Sequence, residues 1–201
     1  LGVRLSLPLI LASASPRRSE LLGSLVPDFT VVTADEVEEA HDAALTPAEL
    51  TEHNARLKAA AVARRHPGAL VLGADTLVYL NGEPLGKPAS LDEAAATLRR
   101  LAGRTHTVCT GVCLCGPAAD EAASFHNLTR VTFLPLDDGT IAEYLGKVHV
   151  LDKAGAYAAQ EHGGLIIEDM EGSWSNVVGL PLEALAARLA RWELREPPPP
   201  H

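Results

Sequence analysis

The chain has 201 residues, 47% of them apolar and 21% charged, which suits a globular body with its own core and excludes wholesale disorder. Lys and Arg number 17 against 26 Asp and Glu, a net charge of −9. A field of that sign repels a phosphate backbone and argues against general affinity for duplex nucleic acid, while leaving room for one small polyphosphate in a locally basic cleft.

Arg4, the apolar stretch Leu5–Leu11 and Ala12-Ser13-Ala14 imitate a secretory leader with an A-x-A cleavage site, but Ser6 and Pro8 interrupt it and Pro16-Arg17-Arg18 follows at once. The reading adopted is a buried strand over 7–12, a small-residue turn over 13–15, and a helix from Pro16 to about Leu25 capped by Ser15. A short strand over 29–34 leads to an acidic loop, 35–41. Thr46-Pro47-Ala48-Glu49 is a capping box that opens a helix to about Arg65. Leu70–Ala74 is apolar without alternation, as in a strand covered on both faces, and the run continues past Thr76 to the tight-turn pair Asn81-Gly82. Ser90-Leu-Asp-Glu93 opens a helix ending before Gly103. Strands are expected near 105–115 and 124–135, a short helix near 138–146 and a strand near 164–170. After Pro181 a last helix carries Leu182, Leu185, Leu189 and Trp192 on one stripe.

The expected fold class is α/β, a mixed sheet with flanking helices. Residues 1–195 are expected to form one domain, followed by a disordered Pro-rich tail over 196–201. No stretch approaches the ~20 apolar residues of a membrane span. Cys109, Cys113 and Cys115 are too clustered for a disulfide framework and point to a reducing cytoplasm; as C-x3-C-x-C on one strand face they also raise zinc, which would need a fourth ligand from elsewhere.

Several familiar chemistries are absent as motifs: the chain has no G-x-G-x-x-G, H-E-x-x-H or G-x-S-x-G, and Gly82–Lys87 departs from a P-loop in spacing and in its following Pro88. What remains is polar residues at strand ends. Ser13-Ala-Ser15-Pro-Arg17-Arg18 joins a strand end to a helix N-terminus, which either binds phosphate oxygens or is an ordinary cap with solvated arginines. Asp75, read as the end of the strand 70–74, is a candidate Mg²⁺ ligand or proton acceptor. Lys87 is held between Gly86 and Pro88; Lys58 lies on an alanine-rich helix; Glu36, Glu38 and Glu39 share the acidic loop.

Taken together, S-x-S-P-R-R at 13–18, G-A-D-T at 73–76, G-K-P at 86–88, D-K-A-G-A-Y-A-A-Q at 152–160 and G-S-W-S-N-V-V-G-L-P-L at 172–182 resemble the Maf family of nucleoside triphosphate pyrophosphatases, in family order over nearly the whole chain. The resemblance implies two lobes around a central cleft, an architecture related to inosine-triphosphate pyrophosphatases and often dimeric. It implies hydrolysis of a nucleoside triphosphate to the monophosphate and pyrophosphate with a divalent cation, Mg²⁺ or Mn²⁺. By position, Asp75 matches the family's proton acceptor, Lys58 and Lys87 its cleft lysines, and Glu39 its metal-binding glutamate alongside Asp75, with Glu36 or Glu38 reached by a small shift of alignment. Ser13, Ser15, Arg17 and Arg18 fall on substrate-binding positions. Arg17, Thr76 and Gln160 match the dTTP/UTP branch, as opposed to the 7-methyl-GTP branch. An amide at Gln160 can meet two groups of the acceptor, donor, acceptor edge of uracil or thymine. A nucleotide-binding regulator of septum formation is the reading of a different class, and it has no need of a base such as Asp75.

Overall fold

The structure is a computed structural model described over residues 2–118 and 122–194; the expected tail, 196–201, lies outside the described residues. Local chemistry explains most element boundaries. β1 (Leu9–Leu11) leads through the 13–15 turn to α1 (Pro16–Leu25), where Ser15 in extended geometry accepts the Arg18 N–H and Pro16 takes the first helical position. β2 is reduced to Thr30–Val31. α2 (Pro47–Ala63) starts on a complete capping box: Thr46 Oγ accepts the Glu49 N–H while the Glu49 carboxylate accepts the Thr46 N–H. β3 (Leu70–Leu80) turns through Asn81 and Gly82, both at positive φ, into β4 (Glu83–Leu85). α3 (Leu91–Leu101), β5 (Thr105–Cys115), β6 (Ala122–Phe133), α4 (Asp138–Lys147), β7 (Ile167–Glu171), α5 (Trp174–Val178) and α6 (Leu182–Leu189) complete the order.

Among the described residues these strands form one seven-stranded mixed sheet, ordered β2-β1-β3-β5-β6-β7 with β4 also on β3. β1 runs parallel to β2 and β3, and the other pairings are antiparallel. One detail of register positions the site. β1 pairs with β3 only over Leu70–Leu72, and β4 joins the same edge of β3 only from Val78 to Leu80. β5 pairs with β3 continuously from Val71 to Tyr79 on the other side. Residues 73–77 of β3 therefore keep a free edge, a gap in the sheet.

This corrects the placement of Asp75. It is not at a strand end but at the middle of β3, opposite Gly111 of β5. The strand runs through because the β5 ladder satisfies its backbone on one side, and what ends there is the neighbour β1.

The period of two along β3 and β5 sorts their residues to two faces. Leu70, Leu72 and Ala74 pack with Val112 and Leu114 beneath α1 and α6, where Leu22, Leu185, Leu189 and Trp192 close the cluster. Further along the same face Val78, Leu80 and Val108 pack with α3 and α4, including Leu98, Ile141 and Tyr144. The opposite face carries Val71, Cys113 and Cys115 against Ala55, Ala59 and Val62 of α2. All three thiols are free and buried, and β5 is an internal strand. No group of three or more His, Cys, Asp or Glu that could hold a metal occurs among the described residues. No helix among them is long and apolar enough to cross a membrane.

Two glycines let α2 lie unusually close to the sheet. A Cβ on Gly73 would come within 2.9 Å of the Ala59 nitrogen, and one on Gly111 within 2.5 Å of the Thr51 carbonyl oxygen. Both obstacles are helix backbone, so larger residues at these positions would push α2 outward.

Candidate active site

The gap in β3 opens into a cleft of about 1250 Å³. Ser13, Ser15, Arg17, Arg18, Glu39, Lys58, Asp75, Thr76, Lys87 and Gln160 all line it. They arrive from six different segments, and adjacent residues Asp75 and Thr76 address opposite sides because successive side chains of a strand point to opposite faces.

On the α2 side Asp75 is 5% exposed. Its Oδ2 accepts an N–H of Asn54 at 3.1 Å, and its Oδ1 lies 3.7 Å from Lys58 Nζ. Lys58 also pairs with Glu39 at 2.7 Å and donates to the Ala74 carbonyl at the free edge of β3, 3.3 Å away. One ammonium thus ties both carboxylates together. Burial pushes the Glu39 carboxyl up, but the Lys58 hydrogen bond and the charges of Lys58, Lys87 and Arg18 outweigh it and hold Glu39 below the ordinary carboxylate range.

Asn54 is the residue that sequence reading missed. It is 2% exposed and uses its amide fully: Oδ1 accepts the Ala40 N–H at 2.8 Å, while Nδ2 donates to the Ala40 carbonyl at 3.2 Å and to Asp75. This grip on Ala40 fixes the acidic loop and carries Glu39 into the cleft. Glu36 pairs with Arg65 at 3.0 Å on the surface instead, and Glu38 is exposed outside the cleft lining. The available signal was spacing, since Asn54 lies one turn before Lys58 on the same helical face.

The opposite wall is cationic. Arg18 donates from Nε to the Gly179 carbonyl at 2.8 Å, from Nη2 to Thr76 Oγ1 at 3.0 Å and from Nη1 to Ser13 Oγ at 3.4 Å. Burial lowers the Arg18 pKa and the Asp75 charge opposes that shift; a guanidinium stays charged regardless. Arg17 points across to Asp152 at 3.5 Å, and Asp152 meets the buried Lys153 at 3.0 Å. That chain anchors the 152–160 segment to the α1 terminus. Ser15 lines the cleft, but its hydroxyl is engaged as the helix cap. Lys87 and Gln160 are exposed on the rim. Behind the wall His106 Nε2 lies 2.7 Å from Tyr157 Oη, and burial brings the imidazole down to about 4, so it is neutral at pH 7.

The donor set suits a hard cation: Glu39 and Asp75 offer carboxylate oxygens around one position already taken by an ammonium. Two carboxylates are what Mg²⁺ uses when waters and substrate phosphates complete its shell, as distinct from an all-protein cage. Carboxylates on one wall and guanidinium groups on the other match a metal-accompanied polyphosphate in both sign and position.

Comparison with known proteins agrees with this arrangement. Residues 8–192 match the family model described as Maf-like protein. A dTTP/UTP pyrophosphatase of Akkermansia muciniphila is 49% identical over 175 residues, covering 87% of this chain and 91% of that protein. A dTTP/UTP pyrophosphatase of Myxococcus xanthus is 50% identical over 183 residues, 91% of each chain. Among solved structures, the Staphylococcus aureus Ham1 protein superposes with a TM-score of 0.55 at 20% identity, over 92% of this chain and 98% of that one, a likeness of fold. The ordered motifs, the cleft they build and these matches agree that the chain belongs to the Maf-like protein family.

Proposed function

We propose that this protein is a nucleoside triphosphate pyrophosphatase that hydrolyses dTTP and UTP to the monophosphate and pyrophosphate. The observation that carries the reading is the buried Asp75 carboxylate, oriented by Asn54 and facing a free strand edge across from Arg18. The names of the relatives support the substrate, and the position of Gln160 on the rim supports contact with the base.

Arg17, Arg18, Lys58 and Lys87 hold the phosphate oxygens and offset their charge, with Ser13 helping to set Arg18. Three of the five N–H groups of Arg18 are engaged with protein, which leaves two for phosphate oxygens. Asp75 has Oδ2 tied to Asn54, while Oδ1 makes only the 3.7 Å ion pair with Lys58, so a shift of that ammonium towards the phosphates opens Oδ1 to a water proton or to the cation. A Mg²⁺ or Mn²⁺ ion held by Asp75 and Glu39 would supply Lewis-acid polarisation at the α-phosphate. Water adds to the α-phosphorus, the bond to the α,β-bridging oxygen breaks, and pyrophosphate leaves with its charge stabilised by the basic wall. The three free thiols support a cytoplasmic setting, and the partner is the nucleotide, with no nucleic acid and no membrane; a homodimer is the assembly we expect.

The test is pyrophosphate release across canonical nucleoside triphosphates and 7-methyl-GTP, with Mg²⁺, Mn²⁺ or EDTA. Metal-dependent turnover highest with dTTP and UTP is expected, and Gln160→Ala should change the ranking of bases more than the overall rate. Turnover highest with 7-methyl-GTP would overturn the substrate; tight nucleotide binding without product would overturn the enzyme.

A further inference from the structure

Thr76 and Thr110 face each other across the β3–β5 ladder. They interrupt an otherwise apolar sheet face, with Leu72 and Ala74 before Thr76 and Val78 after it, and Val108 and Val112 on either side of Thr110. Thr110 is fully buried. A hydroxyl at that depth persists only if its proton has an acceptor, and with Thr76 half-buried at the cleft wall the directions of both protons can be worked out.

Thr110 Oγ1 lies 3.0 Å from the Asn176 carbonyl, which can only accept, so the single Thr110 proton goes there. The 2.9 Å contact between the two hydroxyls must then be filled by the Thr76 proton. With its proton committed, Thr76 meets Arg18 Nη2, 3.0 Å away, as an acceptor, and a guanidinium can only donate. The chain therefore runs one way, from Arg18 through Thr76 and Thr110 to the Asn176 carbonyl. Its far end is fixed, because Asn176 is fully buried and donates from Nδ2 to the Val108 carbonyl at 3.2 Å and to Thr129 Oγ1 at 3.0 Å.

We propose that Thr110 is a positioning residue for Arg18, and that Thr76 acts on the phosphates through Arg18 and donates no hydrogen bond to the base. The inference rests on the cleft being a polyphosphate site. Thr76 has no proton left for a nucleobase acceptor, while Arg18 needs a fixed acceptor to hold its two uncommitted N–H groups as a fork. Without Thr110 the Thr76 proton loses its acceptor and can turn towards Arg18, where donor meets donor.

The experiment is calorimetric titration of inorganic pyrophosphate in Mg²⁺ buffer into the wild type, Thr110→Val, Thr110→Ser, Thr76→Val, Arg18→Ala and the Arg18→Ala/Thr110→Val pair. Thr110→Val should weaken binding about tenfold, the scale of one hydrogen bond to a charged group, with Thr110→Ser within about twofold of wild type. In the Arg18→Ala background Thr110→Val should have no further effect, which a merely structural role would not produce. Thr76→Val should weaken pyrophosphate, dTTP and 7-methyl-GTP alike; it carries the test if Thr110→Val fails to fold. Wild-type binding by Thr110→Val, an equal loss in the Arg18→Ala background, or a Thr76→Val variant that shifts base ranking with pyrophosphate affinity intact would each overturn the relay and leave the polyphosphate site standing. A wild type that binds neither pyrophosphate nor nucleotide would overturn the reading of the cleft itself, and the relay with it.

Discussion

Gly111→Ala is a single methyl placed where the fold has no room, and its consequences can be followed into the site. The added Cβ would sit 2.5 Å from the Thr51 carbonyl oxygen of α2, against helix backbone that cannot rotate away. Reaching ordinary van der Waals separation requires α2 to retreat by about 1 Å. The same helix carries Asn54 and Lys58, so a 3.1 Å bond from Asn54 to Asp75 would open to about 4 Å, beyond hydrogen-bonding distance. Overpacking of this kind costs about 2 kcal/mol, and a domain of this size should lose about 4–8 °C in Tm. A displacement of ~1 Å at a catalytic group costs roughly a hundredfold in rate. The assay is thermal unfolding beside steady-state pyrophosphate release, with Gly68→Ala as the control, because a Cβ there meets nothing within 4 Å. Gly68→Ala should melt at or slightly above wild type. A Gly111→Ala variant with wild-type Tm and wild-type kcat would refute the claim that close approach of α2 sets the catalytic geometry.

Asp75→Asn should lower turnover at least ~10³-fold with Tm near wild type, as measured by pyrophosphate release and circular dichroism; nearly full activity would remove Asp75 from the mechanism. Lys58→Met leaves Glu39 and Asp75 facing each other without the ammonium between them, so Glu39 should titrate higher than in wild type, readable by carboxylate NMR; an unmoved Glu39 would show that Lys58 does not hold it down. His106 titrates at about 4 folded, against an ordinary 6.5. Its neutral burial therefore contributes stability that is fully present above pH 6.5 and is lost as pH falls to about 4, because the unfolded chain takes up the proton first. In urea unfolding, His106→Gln should shrink the stability difference between pH 7 and pH 4 by up to roughly 3 kcal/mol. A difference equal to wild type would place the acid sensitivity elsewhere.

Caps and turns were legible in the sequence because their chemistry is local. Thr46-Pro47-Ala48-Glu49 sets the start of α2, Ser15-Pro16 that of α1, and Asn81-Gly82 the β3–β4 turn, each through residues within four positions of one another. The ordered blocks also brought forward the side chains that line the cleft. What sequence could not settle is which groups meet. Choosing Glu39 over Glu36 and Glu38 depends on Asn54 gripping Ala40, 14 residues away. The setting of Asp75 depends on where β1 stops pairing, and a period-two reading of one strand carries no information about its neighbours. Nothing near Thr76 in the chain shows that its hydroxyl meets Thr110, 34 positions on, through the pairing of β3 with β5. Sequence by itself determined most of the elements and the identity of the chemical groups, because propensity, capping and patterning act over a few residues; the short helix α5, inside a segment marked by turn residues, was not among them. Only the tertiary structure decided their protonation, orientation and partners, because those follow from contacts between segments far apart in the chain.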